Sequence, residues 1–185
     1  MFGWFRRDRN AGQIERLNDA VMAQARQPFF YSDLEVPDTI EGRFEMVAVH
    51  AFLLVRRLDS GPEPGPDLAR DLTDAIFSRF EIALRETGVS DIAVPKRMKK
   101  LASSYLGRAQ AYGQGLAAEN RDLLPTALAR NILGIDDGQV PEQSVIMASY
   151  VRAADDALAR MPMEQVLMAD VRWPDVSKLQ SGQRP

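Results

Sequence analysis

The chain has 185 residues, 45% of them hydrophobic, a formal net charge of −3 and no cysteine. Length and apolar content suit one folded domain with a real core and exclude a chain that is disordered by composition. The missing cysteine excludes disulfides, thiolate zinc sites and thiol nucleophiles, and mild acidity with one basic segment excludes a general nucleic-acid binder, so no DNA partner is expected.

Residues 1–9 (MFGWFRRDR) lack the apolar h-region of a signal peptide. They set Phe2, Trp4 and Phe5 beside Arg6, Arg7 and Arg9, a mixture that suits a membrane interface or a groove of the protein itself. Residues 1–12 are therefore expected as a flexible arm. Ile14, Leu17, Val21 and Ala25 then share one helical face, and Pro28 ends that helix. Residues 29–37 read as irregular, with Phe29, Phe30 and Tyr31 in a row. Asp38-Thr39-Ile40-Glu41 reads as a cap, Asp38 accepting from the amide three residues on and Glu41 reaching back.

The next helix runs to about Leu58. It is apolar on nearly every side (Phe44, Met46, Val47, Val49, Phe52, Leu53, Leu54, Val55), which places it in the centre of a bundle. Its longest apolar run, 46–55, is broken by His50 and falls short of the roughly 20 residues a membrane helix needs. Residues 59–66 (DSGPEPGP) form a loop. Asp67 caps a helix with Leu68, Leu72, Ile76, Ala83 and Leu84 inward, and Gly88 stops it. Pro95 opens a helix with Met98, Leu101, Tyr105 and Tyr112 as its stripe. A shorter helix carries Pro125 in its first turn and has Gly134 after its end. Pro141 opens another, with Val145, Ala148, Val151, Leu158 and Met161 facing in and Pro162 ending it, and residues 163–168 add a turn. The expectation is an all-α, single-domain bundle of about seven helices over 13–170, with a tail over 171–185.

Catalytic and metal signatures are thin. A triad needs a base beside a nucleophile, and the one histidine, His50, lies mid-helix in the most apolar segment, where it reads as a hydrogen-bonded core residue. One histidine cannot supply a di-iron bundle's Glu-x-x-His pairs, and no phosphate-binding glycine pattern appears. The strongest enzyme reading is a magnesium-dependent helical enzyme acting on diphosphates. It would use Asp67, Asp71 and Asp74, with Asp136-Asp137 and Asp155-Asp156 further on. The same residues read better as a cap and solvated helix faces, with Arg70 and Arg79 as partners. No metal or cofactor is expected, and the chain reads as a binding protein.

Between 95 and 108 stand five cations, Lys96, Arg97, Lys99, Lys100 and Arg108, and no acid. The first four fall at the positive end of a helix dipole, a placement that a negatively charged partner would offset. Neutralisation by Asp91 or Glu86 is the structural alternative. An RNA- or ribosome-binding helical adaptor would use the same lysines.

Several segments, taken in order, resemble the ubiquinol–cytochrome c chaperone family, bacterial type. They are Arg26-Gln27-Pro28-Phe29-Phe30-Tyr31, Val36-Pro37-Asp38-Thr39-Ile40-Glu41-Gly42-Arg43-Phe44, His50 and Arg56-Arg57-Leu58. Leu84-Arg85-Glu86-Thr87-Gly88-Val89-Ser90-Asp91, Val94-Pro95-Lys96-Arg97-Met98-Lys99-Lys100, Gly107-Arg108 and Ala127-Leu128-Ala129-Arg130-Asn131 continue the series. The chain departs from the family pattern at Thr87 and Ser90. The resemblance implies an all-α domain that helps assemble the cytochrome bc1 complex, with cytochrome b or another subunit as client and the ribosome as a further partner. A cytoplasmic protein is expected from the sequence itself, with peripheral contact to the inner membrane through residues 1–9. A chaperone for a membrane protein needs apolar walls and a polar rim. Phe29, Phe30 and Tyr31 are the candidate walls, and Arg43 and Arg57 the candidate rim.

Overall fold

A helix that is apolar on every side must be surrounded, and α3 (Ile40–Asp59) is. In the computed structural model, which describes the backbone of residues 3–178 and the side chains of 11–178, every residue of α3 from 44 to 54 is buried. Around it pack α1 (Gly3–Ala25), α4 (Gly65–Glu86), α5 (Val94–Ala117) and α7 (Glu142–Arg160). Three short helices, α2 (Pro28–Ser32), α6 (Leu123–Leu128) and α8 (Met163–Leu167), join and cover these. The fold is all-α, with no strand among the described residues.

Ile14, Leu17, Val21 and Ala25 form the buried face of α1, as their spacing predicts. The helix begins at Gly3, so helical backbone occupies 3–12, where an arm is expected. The stretch after Pro28 is also helical. Pro28 takes the first position of α2, where its missing N–H costs nothing, and Phe30 drives that turn into the core. The cap of α3 is Thr39, not Asp38: the Thr39 hydroxyl accepts from the Gly42 amide at 3.1 Å, while Asp38 pairs with Arg43. Gly42 is required there, because a Cβ would sit 1.9 Å from the Pro37 carbonyl oxygen.

α4 starts at Gly65, ahead of Asp67, which pairs with Arg70 within the first turn. Its buried residues Leu68, Leu72, Ile76 and Leu84 drift around the helix, because each four-residue step overshoots a full turn by about 40°. By the last turn the stripe centres on Leu84, and Ala83 is exposed. The helix ends at a left-handed Gly88 (φ 80°), with Gly88 N bonded to Arg85 O and Val89 N to Leu84 O. In α7 the inward position falls to Ser144, and Val145 is 45% exposed, contrary to its expected place. α6 runs into a wider π turn, Ala129–Leu133, closed by a left-handed Gly134.

The C-terminal segment expected as a tail packs against the body through Lys178. Val176 is buried, the turn Val176–Lys178 touches α2, and Trp173 meets the His50 ring edge-on at 5.1 Å. Residues 179–185 lie outside the described residues.

Candidate functional site

The centre of the bundle holds a short polar seam. His50 on α3 is fully buried, with Nδ1 2.7 Å from the Met46 carbonyl and Nε2 2.8 Å from the Tyr150 hydroxyl on α7. A carbonyl only accepts, so Nδ1 carries the proton and Nε2 accepts from Tyr150. Gln24 on α1 donates to the same hydroxyl at 3.0 Å. Phe30 and Trp173 pack their edges against the imidazole. Burial pushes the His50 pKa down to about 4, only partly opposed by the bond to Met46, so the ring is neutral at physiological pH. With both nitrogens engaged inside the core, the residue ties three helices together.

A second polar pair lies between α3 and α5. Glu45 is nearly buried and is gripped by Nε and Nη2 of Arg108, whose Nη1 donates to Ser104 O at 3.1 Å. The guanidinium also lies 5.9 Å from the Phe44 ring centroid. Burial raises the Glu45 pKa, and Arg108 opposes that rise without cancelling it. Arg108, expected on a partner surface, therefore serves an internal carboxylate, and its side chain is only 20% exposed. The composition of the 95–108 segment did not reveal this. A carboxylate inside an apolar run needs a partner, but nothing in the spacing of 45 and 108 names it. Beside the pair, Phe44, Ile76, Phe77, Phe80 and Tyr105 line an apolar slot of about 10 Å³, room for about one water molecule.

The expected walls and rim separate. Phe30 is wholly buried and presents nothing to a client in this structure, while Phe29 and Tyr31 are half-buried. The Tyr31 hydroxyl donates to Ala25 O at 2.8 Å, and burial raises its pKa. Arg43 is exposed and bonds Asp38 at 2.7 Å. Arg57 is spent at the end of α7, where Nη2 donates to the Met161 carbonyl at 2.8 Å. Of this set, Phe29, Tyr31 and Arg43 keep exposed surface at the α2–α3 corner.

The cations of α5 behave differently from Arg108. Lys96, Arg97, Lys99 and Lys100 are exposed, and none has an acidic partner among the described residues. Asp91, the nearest expected partner, pairs with Arg85 instead. The first turn of α5 holds Lys96 and Arg97 and no acid, so these two charges stand unneutralised against the helix dipole, with Lys99 and Lys100 in the next turn.

The aspartates do not converge. Asp67 pairs with Arg70, Asp155 with Arg56 at 2.5 Å and Asp156 with Arg160, while Arg79 reaches Asp19 on α1. No group of three or more histidine or acidic side chains is placed to share a metal ion among the described residues.

These features define an all-α bundle domain with two polar clusters locked inside and one unneutralised cationic helix face outside. Residues 32–173 match the protein family described as ubiquinol-cytochrome C chaperone, and the chain belongs to that family. It is similar to the Cbp3 homolog from Brucella abortus, whose crystal structure superposes with a TM-score of 0.84 at 35% identity, covering 96% of this chain and 98% of that one. Protein CBP3, mitochondrial, of Saccharomyces cerevisiae is 29% identical over 109 residues, 57% of this chain. Ubiquinol-cytochrome c reductase complex assembly factor 1 of Drosophila melanogaster is 24% identical over 170 residues, 88% of this chain. The chain spans 32% of the yeast protein's length and 64% of the fly protein's.

Proposed function

We propose that this chain is an assembly chaperone for the cytochrome bc1 complex, holding cytochrome b or another subunit of the complex before assembly, with no chemistry of its own. The observation that carries the reading is the family match over 32–173, joined to a near full-length structural match with the Cbp3 homolog from Brucella abortus. The fly relative, by its name an assembly factor of the ubiquinol–cytochrome c reductase complex, supports the client class. The two buried polar clusters are engaged with the fold itself, which supports binding rather than catalysis. Client contact falls on the α2–α3 corner, where Phe29, Tyr31 and Arg43 combine apolar surface with a polar edge. The protein works in the cytoplasm, against the inner membrane that its client enters.

Deleting the gene in its native host tests this directly. The bc1 complex and its haem b signal should fall while other respiratory complexes persist, and a pull-down from solubilised membranes should recover cytochrome b. Normal bc1 levels under conditions that require the complex would overturn the reading. One observation favours a second reading, an RNA- or ribosome-binding adaptor: the unpaired cations of α5.

A further inference from the structure

Successive helical residues turn by about 100°. On α5 that places Lys96, Lys99, Lys100, Ser103, Leu106 and Gly107 on one side, opposite the buried Val94, Tyr105 and Tyr112, and all six are exposed. The side runs for about 17 Å at about 1.5 Å per residue. No acid occurs from 92 to 118, although the whole chain is acidic. Two apolar side chains stand among these cations without cover. Leu106 is 68% exposed, and Ile92, in the turn leading into the helix, is 93% exposed.

We propose that this outer face of α5, led by Ile92, seats the protein on an anionic phospholipid surface. A bare isoleucine gains nothing from water or from a phosphate backbone, but it gains from the headgroup–acyl boundary. Lysines beside it meet the lipid phosphates as point charges. RNA would call for aromatic stacking platforms, and the aromatics of this helix, Tyr105 and Tyr112, are buried. The rest of the chain is net acidic, so charge also favours this orientation. No helix among the described residues is long and apolar enough to cross a membrane, so this contact is peripheral. It does not depend on which client the protein holds.

The test is flotation of the full chain with vesicles of phosphatidylcholine alone and of phosphatidylcholine with phosphatidylglycerol, at low and high salt. Binding should require the anionic lipid and weaken with salt. Lys96→Glu/Lys99→Glu/Lys100→Glu should lose affinity by at least about a hundredfold, at about fivefold for each cation removed and more for each acid added. Ile92→Ser touches no packed atom and should weaken binding about fivefold without shifting the melting curve, so the test survives even a triple variant that folds poorly. Replacing Phe2, Trp4 and Phe5 with serine should leave the lysine dependence in place. Equal binding to both vesicle types would overturn the proposal. So would full binding by a folded triple variant, or tighter binding to a single-stranded RNA than to anionic vesicles at the same salt.

Discussion

The hydroxyl of Tyr150 lies 2.8 Å from Nε2 of His50, and it is the donor in that contact, because Nδ1 of His50 already donates to the Met46 carbonyl. Gln24 fills the hydroxyl's acceptor side. Residues from α1, α3 and α7 thus share one satisfied chain inside a mostly apolar core. Such a chain favours one packing of those helices, since any other leaves a buried polar group unpaired.

Acid should loosen the fold through His50. Its folded pKa, about 4, lies below the ordinary 6.5. The unfolded chain therefore binds a proton that the folded one refuses. The stability from this group is complete above the unfolded pKa and is lost as pH falls from about 6.5 towards 4, roughly 3 kcal/mol in all. Urea midpoints measured between pH 7.5 and 4.5 should decline for the natural protein and decline less steeply for His50→Gln. Identical slopes would show that the histidine is not the titrating group.

Tyr150→Phe removes the donor to Nε2 and the acceptor for Gln24 in one step. Leaving those groups buried and unpaired should cost about 1–3 kcal/mol, or several degrees in Tm at about 2–4 °C per kcal/mol for a chain of this size. Adding His50→Leu should cost less than the sum of the two single changes, because the orphaned nitrogen is gone. Strict additivity would separate the two residues.

Most of the longer helices were legible in the sequence because they carry an apolar stripe and a Pro or Gly at one end; α2, five residues long with one buried ring, and the first turns of α1 were not. The central place of α3 was legible because it has no polar side. What the sequence hid is tertiary. Asp38 and Thr39 are both competent caps, and Arg43 decides between them by taking Asp38. Phe29, Phe30 and Tyr31 look alike as a run, but the α2 turn sends only the middle ring fully inward. Arg108 sits in a run of free cations, and only the fold brings Glu45 to it across 63 positions of sequence. The unpaired state of Lys96, Arg97, Lys99 and Lys100 was half legible: the absence of local acids is in the sequence, while the diversion of Asp91 to Arg85 is not.

Removing Arg108 should expose the burial cost that Glu45 carries. Arg108→Met leaves a nearly buried carboxylate without its counter-ion, a loss of about 3 kcal/mol or more at neutral pH. The Glu45 pKa is already raised by burial, and it rises further without the guanidinium. A raised carboxylate is least costly when protonated, so stability lost above the folded pKa returns as pH falls. The deficit of Arg108→Met against the natural protein should therefore shrink towards pH 5, and Glu45→Leu should restore much of it at pH 7. A deficit that is constant with pH and unrelieved by Glu45→Leu would reduce the pair to packing alone.

Charge reversal on α5 should leave the fold standing. Lys96, Lys99 and Lys100 are exposed, make no ion pair among the described residues and stand beside a stripe whose buried members, Val94, Tyr105 and Tyr112, face the other way. Their replacement by glutamate removes no core contact. It also turns charges opposed to the helix dipole into charges that suit it, worth about 0.3–1 kcal/mol for a group in the first turn at low salt. Only Lys96 falls in that turn, so the gain is one such increment and fades along the helix. The triple variant should melt at the natural temperature or slightly above it in dilute buffer, and the difference should vanish at high salt, where the dipole is screened. A melting point several degrees lower at both salts would mean that the lysine stems cover apolar surface the fold needs.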